Sequence, residues 1–358
     1  MECVGIPDSG YLRFRKRLYT NALSQRIPIA GSMEITSRCN LECVHCYISG
    51  QSPDSEEMDY RELTGIVDQL FEAGCLWLVI TGGEPLAHPD FQRLYRHVKS
   101  RGILPILFTN GTLLDEAIAD LLAALPPYLV EVSLYGATEE TCRRVTGSDD
   151  AFRRCISGVE RLLERGIKVG LKTMAMTLNA DEIGAMRDLA EDYGVAFRFD
   201  ALLNPTLTGG RKPAEYRLEP EQVVALDRLQ PGGEDEWRKL AEECGADSLE
   251  HDRIYQCGAG RSTFHIDAGG RLSVCMMSRE RSWDLRRGTF MEGWNSFIPE
   301  VLEQRWTTDA PCRTCRLKSI CGQCPGWGQL EHGDSEAVVD YLCSIAHLRA
   351  EVLGIGVD

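Results

Sequence analysis

Three cysteines near the start of the chain have the spacing of metal-cluster ligands. Cys39, Cys43 and Cys46 form the pattern C-x3-C-x2-C, with His45 between the last two. Three thiolates are one fewer than a closed four-iron four-sulfur cluster takes, so a cluster on this loop keeps one iron free for another ligand. Short cysteine spacings with an inserted histidine also suit tetrahedral zinc, and a zinc knuckle is the alternative interpretation.

A second motif follows about forty residues later, after the apolar run 76–80; its residues are Thr81-Gly82-Gly83-Glu84-Pro85. Alone, Gly-Gly-Glu-Pro is a common turn. Together with the triad it resembles the radical S-adenosylmethionine (SAM) superfamily, in which SAM's methionine chelates the free iron and this segment holds the amino end. Gly82 and Gly83 let the backbone approach a ligand closely, and Glu84 can accept hydrogen bonds from an ammonium group.

Composition restricts the class of protein. With 358 residues, 43% hydrophobic and 26% charged, the chain can build a barrel-sized domain and a smaller one. A net charge of -15 argues against a nucleic-acid groove. Residues 1–8 lack the features of a signal peptide, and no apolar run has the length of a membrane span. We therefore expect a cytoplasmic protein without membrane or nucleic-acid partners, whose fifteen cysteines are poor candidates for disulfides and good candidates for metal binding.

Periodicity over residues 29–205 predicts six strand-and-helix units. The predicted strands are 29–36, 76–81, 104–109, 129–134, 167–176 and 195–200. One predicted helix presents an apolar face of Leu63, Ile66, Val67, Leu70 and Phe71, and others cover 116–124 and 152–164. This alternation predicts an α/β fold whose parallel sheet curls toward a barrel. The resemblance implies the partial six-unit radical SAM barrel, preceded by an N-terminal segment, residues 1–28.

Further candidate residues lie at strand ends, where barrel active sites collect. By resemblance, Asn110, Ser133 and Lys172 contact the ribose or carboxylate of SAM; ordinary turn chemistry at Asn110 and a solvated Lys172 are the alternatives. Tyr135 lies in Ser133-Leu134-Tyr135-Gly136, where many relatives have Ser-Leu-Asp-Gly. It is the candidate catalytic residue, an acid or radical relay, and the alternative is a tyrosine that packs on the barrel rim.

The C-terminal part of the chain holds a second group of cysteines. After a linker with helices at 206–256, residues 257–358 contain Cys257, Cys275, Cys312, Cys315, Cys321, Cys324 and Cys343. Cys257 and Cys275 bracket a predicted hairpin. The set resembles the SPASM extension of radical SAM enzymes that modify peptides and proteins, although Cys324 comes one residue earlier than in that pattern. Paired C-x2-C units also suit a double zinc ribbon.

The resemblance implies two auxiliary four-iron four-sulfur clusters and therefore three clusters in all. Cys312, Cys315, Cys321 and Cys343 make a complete four-thiolate set. Cys257, Cys275 and Cys324 remain for the other cluster, so one of its irons would be open or bound by another group. Asp267 and His265 on the hairpin are candidates, with Cys244 as a further one.

The resemblance implies a SPASM-type radical SAM maturase. A flavodoxin- or ferredoxin-type donor would reduce the first cluster, and SAM cleavage would give a 5'-deoxyadenosyl radical that abstracts hydrogen from a ribosomally made peptide or protein. Residues 1–28 are too few for the winged peptide-recognition domain of some relatives, so we expect a separate recognition protein. The alternatives are a formylglycine-forming sulfatase maturase, although Met276 follows Cys275 where those relatives have Asp, and a non-catalytic zinc or iron-sulfur scaffold.

Overall fold

The computed structural model of the chain describes residues 8–48, 57–230, 232–243 and 252–356. Cys3, which matches no motif, and Cys244, a candidate cluster ligand, lie outside these residues. Among the described residues, no helix is long and apolar enough to span a membrane.

A single twisted sheet organises the described chain. Its strands are β1 (Ala30–Glu34), β2 (Trp77–Thr81), β3 (Leu104–Thr109), β4 (Leu129–Ser133), β5 (Val169–Met174), β6 (Ala196–Asp200), β7 (Thr263–Ile266), β8 (Arg271–Ser273) and β9 (Trp283–Asp284). Strands β1 to β6 are parallel neighbours in chain order, as the alternating pattern predicts. The predicted α/β fold is therefore confirmed, and each predicted strand contains the observed one.

Helices connect the strands β1 to β6, and further helices precede β1 and follow β6 and β9. They are α1 (Asp8–Gln25), α2 (Tyr60–Glu72), α3 (Phe91–Ser100), α4 (Glu116–Ala124), α5 (Glu139–Thr146), α6 (Ala151–Glu164), α7 (Ile183–Asp192), α8 (Pro220–Asp227), α9 (Gly233–Glu243), α10 (Phe290–Glu292), α11 (Ile298–Leu302), α12 (Pro325–His332) and α13 (Asp340–Leu353). In α2 the predicted apolar face is buried except at Phe71, which is 49% exposed. Phe71 was wrongly included because it continues the spacing but lies at the edge of the buried stripe.

Alternate residues of each strand face opposite sides of the sheet. One set, including Met33, Leu78, Leu107, Val130 and Leu171, is buried against the helices in the main core. The other set faces the concave side, which we call the lumen. Its polar members are Ser32, Glu34, Glu131, Ser133, Lys172, Arg198 and His265.

The cysteine-rich part is joined to the barrel through the sheet. The sheet order is β6-β5-β4-β3-β2-β1-β7-β8-β9, and β7 pairs in parallel with β1 from Ala30 to Met33. The predicted hairpin after Cys257 is present as β7 and β8, but the domain boundary proposed there does not interrupt the sheet. Periodicity does not report which strands pair over such a long sequence separation.

The β1–β7 joint gives a test of the fold. At Gly31 on β1 an added Cβ would lie 2.2 Å from Cζ of Phe264 on β7. Phe264 is buried edge-on against Phe290, so it has no room to move. We expect Gly31→Ala to lower the free energy of unfolding by about 1–3 kcal/mol in denaturant titration.

A matched control comes from α7. Gly184 is helical, and a Cβ there would meet nothing within 4 Å. Gly184→Ala should therefore raise the free energy of unfolding by roughly 0.5–1 kcal/mol. Equal effects of the two substitutions would contradict the close β1–β7 joint.

Candidate functional site

The three-cysteine loop follows β1 at the C-terminal edge of the sheet. Its backbone is held to the end of α5, because Glu42 N donates to Thr146 O at 3.0 Å and Val44 N donates to Val145 O at 2.9 Å. Cys46 N donates to Cys43 O at 3.1 Å, which closes a turn within the loop. The loop is thus tied to the barrel while Cys39 remains exposed.

The three thiols of this loop lie close together. Burial raises the pKa of Cys43, and the thiols of Cys46 and Cys39 raise it further. Burial also raises the pKa of Cys39, with Glu84 and Cys46 acting in the same direction. A donor set of three neighbouring thiols fits a four-iron cluster with one iron left open, and a bound cluster would hold them as thiolates.

The two glycines of the second motif make room for the segment that leads into this loop. Gly83 N donates to Thr36 O at 2.9 Å, and Glu84 N donates to Arg38 O at 2.8 Å. A Cβ on Gly82 would lie 2.2 Å from Thr36 O, and one on Gly83 would lie 2.3 Å from Arg38 O. In the structure, the backbone at these two glycines lies close to the segment that leads into Cys39.

The Glu84 carboxylate is anchored within the protein. It is fully buried and accepts hydrogen bonds from Thr109 Oγ1 at 2.7 Å, Asn110 N at 2.7 Å and Leu86 N at 3.1 Å. Burial raises the pKa of Glu84 to about 7. These contacts tie the motif to the end of β3, and the predicted contact of Glu84 with an ammonium group stays a prediction. Pro85 is buried and begins a short 3-10 turn.

Asn110 touches the cysteine loop itself. Its Nδ2 lies 3.8 Å from Cys39 Sγ and donates to Asn40 Oδ1 at 3.1 Å. Asn40 in turn donates to Thr112 Oγ1 at 2.8 Å. The structure therefore places Asn110 beside the candidate cluster, and its predicted contact with SAM stays a prediction.

Lys172 and Ser133 are neighbours across the β4–β5 ladder and face the lumen. Lys172 is not solvated: its Nζ lies 3.0 Å from the centroid of the Phe108 ring and 3.8 Å from the Glu131 carboxylate. Burial lowers the pKa of Lys172 to about 7. Glu131 also accepts two hydrogen bonds from Arg198, at 2.8 and 2.5 Å.

Tyr135 lies beside the three-cysteine loop. Its ring packs edge-on against His45, with 4.7 Å between centroids. Burial raises the pKa of Tyr135, the Cys43 thiol raises it further, and a hydrogen bond with Ser133 acts in the opposite direction. Sequence reasoning used His45 only as a possible zinc ligand and missed this packing, although its position inside the triad was a usable signal.

The tail cysteines gather into two groups. Burial raises the pKa of Cys321 to about 11, and the thiols of Cys312, Cys315 and Cys343 raise it further. Burial likewise raises the pKa of Cys324 to about 11, with Cys275 and Cys257 as the neighbouring thiols. A cavity of about 360 Å³ lies among them and is lined by Cys257, Cys312, Cys315, Cys321, Cys324 and Cys343. The grouping is the one that the sequence predicts.

The two hairpin candidates for a fourth ligand have contacts of their own. His265 is 1% exposed in the lumen, and its Nδ1 is 2.8 Å from Ser32 Oγ on β1. Asp267 accepts from Gly269 N and Arg271 N, both at 2.9 Å, and so closes the β7–β8 turn. Their role as a fourth ligand stays a prediction.

Two further residues near the site were missed. Glu57 accepts from Ser37 N at 2.7 Å and Ser37 Oγ at 2.6 Å, which supports the chain entering the cysteine loop. Arg279, four residues after Cys275, reaches Glu34 at the end of β1. Neither contact has a local sequence signal, since each joins distant segments.

Gly83 provides the sharpest test of this geometry. Gly83→Ala would force Arg38 O and Ser37 O away from a new Cβ that would otherwise lie 2.3 and 2.7 Å from them. Displacing the approach to Cys39 by a fraction of an ångström to 1 Å should lower reductive SAM cleavage by on the order of 100-fold. Gly65→Ala, where a Cβ meets nothing within 4 Å, is the matched control. Unchanged 5'-deoxyadenosine formation in Gly83→Ala would contradict the seating of the loop.

Comparison with known proteins agrees with this arrangement. Residues 33–191 match the model of the Radical SAM superfamily. The AdoMet-dependent heme synthase of Methanosarcina barkeri is 27% identical to the chain, over 84% of this chain and 92% of the relative. The mycofactocin maturase MftC of Mycobacterium ulcerans is 31% identical, over 86% of this chain and 81% of the relative.

A solved structure shares the fold over nearly the whole chain. Streptococcus suis SuiB, bound to its precursor peptide SuiA, superposes with a TM-score of 0.71 at 17% identity, covering 96% of this chain and 82% of SuiB. At this identity the likeness concerns the fold. Taken with the family match and the relationship to MftC, it shows that the chain belongs to the radical SAM superfamily, in its SPASM-type maturase branch, and is an enzyme that uses SAM and a four-iron four-sulfur cluster.

Proposed function

We propose that the protein is a maturase that abstracts hydrogen from a ribosomally made peptide or protein and so forms a C–C, C–S or C–O bond, an epimer or an oxidised product. The observation that carries this proposal is the three-cysteine loop seated over the lumen at the C-terminal edge of the sheet. The relationship to the mycofactocin maturase over 81% of its length supports a peptide substrate. SuiB, solved with its precursor peptide, has the same fold.

The residues of this site would act by binding and positioning. Cys39, Cys43 and Cys46 would hold the cluster, which with bound SAM supplies a hydrogen-abstracting 5'-deoxyadenosyl radical. Asn110 would orient the loop from beside Cys39. The lumen below is lined by charges that are paired with one another, such as Glu131 with Arg198.

We further infer two auxiliary clusters, which makes three in all. Cys312, Cys315, Cys321 and Cys343 supply four thiolates, which suits a closed electron-transfer cluster. Cys257, Cys275 and Cys324 supply three and leave one position for a group from outside the described cysteines or from substrate. The shared cavity and the mutual effect of the thiols support these sets.

Several partners belong to this proposal. Reduction of the first cluster needs a one-electron donor of the flavodoxin or ferredoxin type, and such donors operate in the cytoplasm. A separate recognition protein would deliver the precursor peptide. Pull-down with the neighbouring encoded proteins, with and without the peptide, tests the recognition protein independently of turnover.

A second candidate substrate has one specific observation in its favour. The chain covers 92% of the AdoMet-dependent heme synthase, more than it covers of the maturase. The carbon that loses hydrogen could then belong to a tetrapyrrole, because a shared barrel does not fix the substrate. A change in visible absorption during turnover with a porphyrin precursor would identify this activity.

The peptide proposal is tested by coexpression. The enzyme is produced with short peptides encoded beside its gene, and mass spectrometry follows their mass and fragmentation. We expect one peptide to change in mass or stereochemistry. SAM cleavage without any modified peptide, together with conversion of a porphyrin precursor, would overturn the peptide proposal in favour of the second candidate.

Replacing Cys39, Cys43 and Cys46 together with Ala tests the first cluster. The remaining loop cannot bind a cluster, so we expect 5'-deoxyadenosine formation under dithionite to fall to background. The iron content should decrease from that of three clusters to that of two, because the tail cysteines are unchanged. Persistent SAM cleavage by this variant would contradict the assignment.

The catalytic role of Tyr135 stays a prediction with its own test. Its phenol lies near Ser133 and the cysteine loop. We expect Tyr135→Phe to keep SAM cleavage and lose peptide product. Unchanged product formation would leave only the packing of the ring against His45 as its role.

A further inference from the structure

Arg279 lies between the two parts of the protein that carry cysteines. Its Nε donates to Met276 O at 2.7 Å, directly after Cys275. Its two terminal nitrogens donate to the two carboxylate oxygens of Glu34 at 3.0 and 2.5 Å. The guanidinium therefore holds its own loop with one nitrogen and the end of β1 with the other two.

This ion pair is buried. The Arg279 side chain is 13% exposed, and that of Glu34 is 2% exposed. A buried pair contributes little net stability compared with apolar side chains of the same volume, although losing one partner is costly. A contribution to stability therefore does not by itself explain a bidentate ion pair inside the lumen.

The ion pair between Arg279 and Glu34 lies between the two cysteine loops. Glu34 ends the strand that leads to Cys39, and Met276, whose carbonyl accepts from Arg279, follows Cys275 directly. The guanidinium therefore bridges the Cys275 loop and the strand that leads to the three-cysteine loop.

We propose that Arg279 is a positioning residue that fixes the Cys275 loop against β1 and places a charge, balanced by Glu34, between the SAM-binding cluster and the auxiliary cluster of Cys257, Cys275 and Cys324. This inference rests on the auxiliary clusters of the proposed function. The reduction potential of an iron-sulfur cluster follows the net charge and the hydrogen bonds around it. The pair therefore sets both the placement and the potential of the auxiliary cluster.

The test uses the protein in which Cys39, Cys43 and Cys46 are replaced with Ala, so that only the tail clusters give signals. Midpoint potentials are measured by anaerobic redox titration followed by electron paramagnetic resonance. Arg279→Gln removes a positive charge and should move the potential of the auxiliary cluster to a more negative value. Glu34→Gln removes a negative charge and should move it to a more positive value.

Opposite shifts of the midpoint potential in Arg279→Gln and Glu34→Gln indicate an electrostatic effect. A general loosening of the structure would shift the potential in the same direction in both variants. The double variant Glu34→Gln, Arg279→Gln should return close to the parent potential. Arg279→Lys keeps the charge but loses the planar fork, so it should leave the potential near that of the parent while residues 275–279 exchange their amide hydrogens faster. If Arg279→Gln folds poorly, the double variant and Arg279→Lys still show whether the charge of Arg279 affects the potential.

Arg349→Gln is the matched control. Arg349 is also buried and paired with Asp227, but it donates to Ile320 O beside Cys321 of the other set. It should leave the potential of the Cys275 cluster unchanged. Shifts of the same sign for Glu34→Gln and Arg279→Gln, or no shift while both tail clusters contain iron, would overturn the inference. Absence of tail iron in the background protein would instead overturn the proposed auxiliary clusters.

Discussion

The backbone contact between residues 36–38 and residues 82–84 decides where chemistry can occur in this protein. Two hydrogen bonds, Gly83 N to Thr36 O and Glu84 N to Arg38 O, seat the chain that enters the cysteine loop on the turn after β2. Only glycine permits this approach, because any Cβ at Gly82 or Gly83 would overlap a carbonyl oxygen. The loop is thereby held at the C-terminal edge of the sheet, above the lumen, with Cys39 open to a ligand.

The polar side chains of the lumen below the loop are almost completely paired with one another. Glu131 is held by Arg198 and Lys172, and Glu34 by Arg279. Buried charges need such partners to offset their desolvation. Because the hydrophobic core lies on the convex side, the lumen is free to bind a substrate without disturbing the packing that stabilises the barrel.

Local signals in the sequence were sufficient for the strands and for the cysteine sets. Apolar periodicity located β1 to β6 and most of α2, and the resemblance of the tail cysteines to a SPASM extension implied the two groups that the structure brings together. Contacts between distant segments were not predictable in this way. The pairing of β1 with β7 places His265 opposite Ser32 in the lumen. The partners of Glu84, Thr109 and Asn110, likewise come from another strand end.

The cluster on Cys39, Cys43 and Cys46 is expected to keep one iron open for SAM. Electron-nuclear double resonance can detect this binding on the reduced protein, with SAM labelled by 15N at the amino group and 17O at the carboxylate of its methionine. We expect hyperfine coupling from both labels to the cluster, and loss of this signal in the variant with Ala at all three positions. A reduced cluster on this loop that shows no coupling to either label would rule out an open iron that binds SAM.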